Sequence, residues 1–204
     1  SGETIGWSNN KIIISFVISI LCGLSFFFTE KNSKNPMIDF SIFHNKLFNI
    51  SILCAFISFL CMFCVNIIQP FYLQSARSIS PAVSGIIMLF IPVSTAIVAP
   101  LSGYISDKIG AKIFTVFGLF TMASGLCAMA FLNLKSSYVQ IAISIALMGI
   151  GNGMFQSPNN SIVMSLAPKN KLGIVGSING LVRNIGMVSG ITFSVALLYN
   201  RMSK

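Results

Sequence analysis

One charged side chain stands well inside an uninterrupted apolar stretch, and amides surround it in sequence. Arg183 shares its stretch with Asn179 and Asn184; another stretch carries Asn152, Gln156, Asn159 and Asn160, and an earlier one Asn66 and Gln69. Polar and ionisable groups at such depth face a bundle interior or a wet cavity, so these residues form a candidate polar interior or substrate path. The competing account is that Arg183 snorkels, its stem in lipid and its head reaching for the headgroups. All four acids, Glu3, Glu30, Asp39 and Asp107, fall outside the apolar stretches. No carboxylate is therefore placed to carry a proton across a membrane, and in a proton-coupled protein the titrating group and the partner of Arg183 are expected on other polypeptide.

Enzyme chemistry finds no support. The five cysteines, Cys22, Cys54, Cys61, Cys64 and Cys127, all lie in apolar stretches. Cys61 and Cys64 have C-x-x-C spacing but no second ligand pair, which reads as packing rather than a metal or redox site. His44 is the single histidine. No nucleophile has a histidine partner, and there is no HExxH run or glycine-rich phosphate loop, so neither a metal nor a cofactor is expected.

The elements that must position the polar residues follow from composition. Of 204 residues, 54% are hydrophobic and 8% charged, against about a quarter charged in a soluble domain. The net charge is +9, yet the bases are scattered singly between apolar runs, a pattern that orients membrane spans rather than one that binds nucleic acid. A bilayer core takes about 20 apolar residues of helix. Six stretches qualify: 12–29, 48–72, 82–105, 113–134, 138–163 and 174–199. The expected class is all-α, a polytopic membrane protein, with residues 1–47 holding an external segment, one span and a connector, and 48–204 holding a bundle. Within the connector, Met37, Ile38, Phe40, Ile42 and Phe43 alternate with polar residues, which suits either a short helix in the membrane surface or an irregular loop.

Alternating the loops between sides puts Lys31, Lys34, Lys46, Lys108, Lys112, Lys169 and Lys171 together, and Arg77 and Lys135 opposite, with Lys11, Arg201 and Lys204 near the chain ends. The lysine-rich side is expected to be cytoplasmic. Both chain ends then lie outside, and the first residue is Ser1, so a piece of a longer protein is expected. Pro70, Pro92, Pro100 and Pro158 each delete a backbone donor in or near a span and permit a kink. Gly149 with Gly153, Gly176 with Gly180, and Gly186 with Gly190 recur at four-residue spacing, the pattern that lets helices approach closely in lipid. The fifth and sixth spans are therefore expected to be tightly packed.

The connection between the third and fourth spans reads Gly103-Tyr104-Ile105-Ser106-Asp107-Lys108-Ile109-Gly110-Ala111-Lys112. It resembles the cytoplasmic-loop signature of the major facilitator superfamily, with Lys108 where arginine is common and Ala111 at a commonly basic position. Gly103 would permit close helix approach, Asp107 would sit near the positive start of the next helix, and Gly110 would allow a tight turn. Further strings extend the likeness over nearly the whole chain: Gly6-Trp7, Pro36 to Asp39 with Ile42-Phe43, Gln69 to Gln74, Leu147 to Gly153 with Pro158, and Asn179 to Gly186 with Gly190. In order and spacing they resemble the drug:proton antiporter branch with fourteen helices. The resemblance implies helices eight to thirteen of fourteen, most of a C-terminal bundle, with an N-terminal bundle missing. It also implies proton-coupled efflux of lipophilic small molecules by alternating access from a bacterial cell membrane. Metabolite uptake or exchange, and a non-transporting membrane fragment, are the alternatives.

Overall fold

Proline, glycine and capping residues decide where the apolar stretches begin, bend and stop. The computed structural model describes residues 10–31, 40–168 and 171–202. These form α1 (Asn10–Lys31), a 3-10 turn (Phe40–His44), α2 (Lys46–Phe71), α3 (Pro81–Met88), α4 (Phe90–Ile109), α5 (Ala111–Ala130), α6 (Tyr138–Ser165) and α7 (Leu172–Met202). No strand occurs among the described residues. The chain divides into two units, with the boundary between Ser41 and Ile42. Among the described residues of the first unit α1 is the one α-helix, and its apolar stretch, Ile13–Ser25, is shorter than those of the second unit. Among the described residues five stretches are long and apolar enough to cross a membrane: Lys46–Ala76, Pro81–Ile109, Ala111–Ala130, Tyr138–Ser165 and Leu172–Arg201. Glu3, Gly6, Trp7, Lys34, Pro36, Met37, Ile38, Asp39, Lys169 and Lys204 lie outside the described residues.

The ends have local causes. The Asn45 side chain accepts from the Leu47 and Phe48 N–H groups at 3.0 and 3.4 Å, which starts α2 two residues before the apolar run at Phe48. Ser80 caps α3, with Pro81 in its first turn. Ser137 and Gln140 form a reciprocal capping box at the start of α6. Pro70 removes an N–H inside α2, and soon after it the helix widens into a π turn over Tyr72–Ala76. The third span breaks at Leu89, where Pro92 cannot donate back to Met88.

The loop signature is mostly helix. Gly103 through Ile109 complete α4, and only Gly110 separates α4 from α5. Gly110 has φ 111° and donates its N–H to Ser106 O at 2.8 Å, a left-handed conformation that an L side chain rarely adopts. The connection expected to be a loop is thus a one-residue reversal.

The packing is organised around α6. Half of its apolar window is buried, and Ile141, Ile145, Met148, Phe155 and Val163 are almost wholly enclosed. A Cβ on Gly149 would lie 2.6 Å from Ile91 O, and one on Gly153 3.1 Å from Ala99 N, so α4 runs parallel to α6 and close against it. Two hydroxyls cross the same seam: Thr95 donates to Gly149 O at 2.9 Å and Ser102 to Gly153 O at 2.8 Å. On another side α5 runs antiparallel, its Gly118 2.6 Å from Phe155 N and its Gly125 2.7 Å from Met148 N by the same measure, with Gly151 of α6 against Met122. The last helix lies parallel to α2, Gly186 against Phe56 and Gly190 against Leu60.

The fifth and sixth spans are therefore closely packed, but against other helices rather than against each other, because their small residues face different partners. Gly176 and Gly180 correct the expectation further: Met164 Cε at 3.9 Å is the nearest atom to a Cβ on Gly176, and none lies within 4 Å of one on Gly180. The close approach begins two turns later, at Gly186. This topology collects Lys46, Lys108, Lys112 and Lys171 at one end of the bundle and Arg77, Lys135 and Arg201 at the other. Large apolar side chains such as Ile97, Phe117, Phe120, Val139, Val188 and Phe193 are exposed around the outside, where lipid rather than water is the matching solvent.

Candidate transport path

Three helices bring the amides together at the lysine-rich half of the bundle. Ser51 and Phe59 come from α2, Gln156, Asn159 and Asn160 from α6, and Asn179 and Arg183 from α7. The register follows from the packing just described. With α2 parallel to α7 and α6 antiparallel to both, the sixth residue of α2 meets Asn159, and Phe59 meets Arg183.

Asn159 is buried and donates through Nδ2 to Ser51 O at 3.2 Å. Asn179 is buried and donates through Nδ2 to Asn160 Oδ1 at 2.8 Å. Its own Oδ1 has no partner, and a buried acceptor left unpaired costs about 1–3 kcal/mol. One turn further along α7, the Arg183 guanidinium carbon lies 4.5 Å from the Phe59 ring centroid, a cation–π geometry. These groups border a cavity of about 10 Å³, lined by Phe59, Gln156, Asn159, Asn160, Asn179 and Arg183 among others. That is room for about one water-sized group. Pro158 lies in the same turn of α6 and deletes the donor to Met154 O, so the backbone here is also less than fully bonded.

The other sequence candidates separate from this cluster. Asn152 is buried in α6, about one turn from Gln156. Asn66 is partly buried on α2, two turns beyond Phe59 on the same face. Asn184 is exposed. Gln69 belongs to a different place: it is buried, its Nε2 has no partner, and it lines a cavity of about 310 Å³ between α2 and α5 with Cys64, Tyr72, Leu126 and Met129. Apolar surroundings put Gln69 with Arg183 in sequence, but it lies ten residues, about 15 Å of helix, beyond Phe59.

At the α4–α5 reversal Asp107, Lys108 and Lys112 are exposed. Asp107 makes no ion pair among the described residues, and α5 has no side-chain cap. Asp107 lies in the last turn of α4 rather than beyond it. Lys108 Nζ instead donates to the Tyr104 hydroxyl at 2.7 Å and lies 4.3 Å from that ring's centroid. Gly103 approaches α6, where a Cβ would sit 2.8 Å from Ser157 Oγ.

Phe59 and Ser51 escaped the sequence reading. One phenylalanine among 18 carries no mark of lying under a cation, and Ser51 takes part through its backbone carbonyl. Gly118 and Gly125 did carry a signal, since seven-residue spacing returns to one helix face. At the opposite end of the bundle Arg77 lies 5.3 Å over the Tyr138 ring, and the Tyr72 hydroxyl donates to Asn133 O at 2.6 Å. These contacts tie the end of α2 to the α5–α6 turn.

Residues 3–191 match the Major Facilitator Superfamily. The uncharacterized transporter YebQ of Escherichia coli is 30% identical over 98% of this chain and 44% of its own length. The riboflavin transporter RibZ of Clostridioides difficile is 29% identical over 94% of this chain and 42% of its own. The multidrug transporter protein MdtP of Bacillus subtilis is 28% identical over 98% of this chain and 37% of its own. The chain thus spans less than half the length of these curated relatives.

Proposed function

Because this multi-pass membrane chain belongs to the Major Facilitator Superfamily, we propose that it forms most of one lobe of an exporter that expels drugs or other lipophilic molecules by alternating access, with protons moving the opposite way. The observation that carries this reading is the convergence of α2, α6 and α7 on Arg183. A cation and several amides share one small cavity in a bundle whose outer surface is apolar. Such a polar seam inside a lipid-facing shell has the chemistry of a path rather than of a packing core. A second lobe would close the path from the other side, and substrate would bind between the two.

The reversal at Gly110 is the proposed latch. Asp107 and Lys108 are exposed at the end of a helix, and contacts from them to the second lobe would hold one conformation. Asp107, the one carboxylate in the five spans, is exposed at the end of α4, so the proton site in this reading belongs to another part of the transporter. Likeness to the multidrug transporter protein MdtP favours drugs as the cargo; likeness to the riboflavin transporter RibZ favours the second reading, transport of a metabolite.

Dye transport in everted membrane vesicles containing the full-length protein tests the proposal. Energised vesicles should accumulate a lipophilic dye and lose that activity when the proton gradient is collapsed. Arg183→Ala should abolish accumulation, and Arg183→Lys should restore only part, because a point charge does not reproduce a planar fork. Undiminished transport by the alanine variant would remove Arg183 from the path. Uptake in the opposite sense would select the metabolite reading.

A further inference from the structure

Arg183 brings a guanidinium cation into the bundle, and the described residues do not neutralise it. It makes no ion pair among them; its surroundings are the Phe59 ring and uncharged amides. Asp107, the one carboxylate whose side chain is described, is exposed at the end of α4. A guanidinium presents five N–H donors in a planar fork, and a ring face accepts no ordinary hydrogen bond from them. Beside it Asn179 Oδ1 also lacks a partner, in a residue only 5% exposed. Both border a cavity with room for about one water-sized group. The opening is too small for the body of an organic molecule, but it suits a terminal oxygen.

We propose that Arg183 is half of an ion pair whose other half is an oxyanion delivered from outside these residues. It is either an acidic group on the transported molecule or a carboxylate on another segment of the transporter. The fork donates two parallel N–H bonds to the oxyanion, while a water or hydroxyl at the terminal oxygen supplies the donor that Asn179 Oδ1 lacks. Phe59 holds the guanidinium plane in place from one side and leaves its edge open to the arriving group. The inference rests on the transporter reading only for the route by which a transported oxyanion arrives, and its test does not depend on transport.

The full-length protein, purified in detergent, is titrated with 1-naphthoate and with the uncharged 1-naphthamide, and its thermal stability is recorded for the parent, Arg183→Gln, Arg183→Lys and Arg183→Met. If the oxyanion comes with the ligand, the parent binds naphthoate in preference to the amide. Arg183→Gln then weakens naphthoate about tenfold or more, and Arg183→Lys weakens it less. If it comes from the protein, neither probe is preferred, Arg183→Gln and Arg183→Met both lower the Tm, and neutralising one acid in a helix outside these residues restores it. Equal binding of the two probes by parent and Arg183→Gln, with no loss of Tm, overturns the proposal. So does a loss of Tm that no acid neutralisation repairs, because packing on Phe59 then accounts for the residue.

Discussion

The two sides of the bundle are built on opposite principles. Where α6 meets α4 and α5, backbone lies against backbone: Gly149, Gly151, Gly118 and Gly125 leave no room for a methyl group, Gly153 leaves little, and hydroxyls from Thr95 and Ser102 close the seam. Where α6 meets α2 and α7, side chains hold the helices together: Asn179 pairs with Asn160, Asn159 bonds the Ser51 carbonyl, a cation rests on a ring, and one buried acceptor goes unanswered. Lipid provides little hydrophobic drive between helices, so the first side gains its stability from close contact. On the second side α7 meets α2 closely at Gly186 and Gly190, but where the two face α6 polarity is retained instead. A bundle that must both persist and admit a polar group divides those tasks between two seams.

Substitutions at matched positions break or sharpen that contrast. Gly151→Leu should have the largest effect, because the new side chain meets the backbone of α5 at Met122 and nothing flexible can yield. Overpacking of this kind costs about 3 kcal/mol, visible as loss of folded full-length protein in membranes and a lower unfolding temperature. Asp107→Asn should impair transport while insertion and folding stay intact, since the residue is exposed and unpaired among the described residues. Normal dye efflux by that variant would end the latch proposal. Gly110→Ala places a Cβ at φ 111° in open space, so the cost is conformational, about 1–3 kcal/mol, measurable by thermal unfolding. Gly180→Ala should do least. With no atom within 4 Å of the added methyl, higher helix propensity should leave stability unchanged or raised by about 0.4–1 kcal/mol. A clear loss of stability would mean that another segment packs against that face.

The legibility of the fold and of the site differed for a physical reason. Span positions follow from apolar length, and the helices start or stop within a few residues of the expected points. Asn45, Ser80 and Ser137 set the starts, and Gly110 marks the reversal. The four-residue glycine spacing covers Gly149, Gly153, Gly186 and Gly190, where a Cβ would crowd a neighbouring helix, and Gly176 and Gly180, where it would not. Spacing describes a face of one helix, whereas contact requires a second helix opposite it. The polar residues behaved likewise. Apolar surroundings grouped Gln69 with Arg183, and the level at which α7 meets α2 separated them.

By itself the sequence determined that the chain is helical and membrane-spanning, which side of each turn carries the lysines, and that its one deep charge is an arginine. Those properties depend on composition, run length and local capping, all written in neighbouring residues. Only the tertiary structure decided that α6 is the central helix, that α7 packs on α2, that Phe59 lies beside Arg183, and that Asn179 is left with an open acceptor. Each of these depends on the angle at which one helix faces another, and that angle is set jointly by backbone approach at distant glycines.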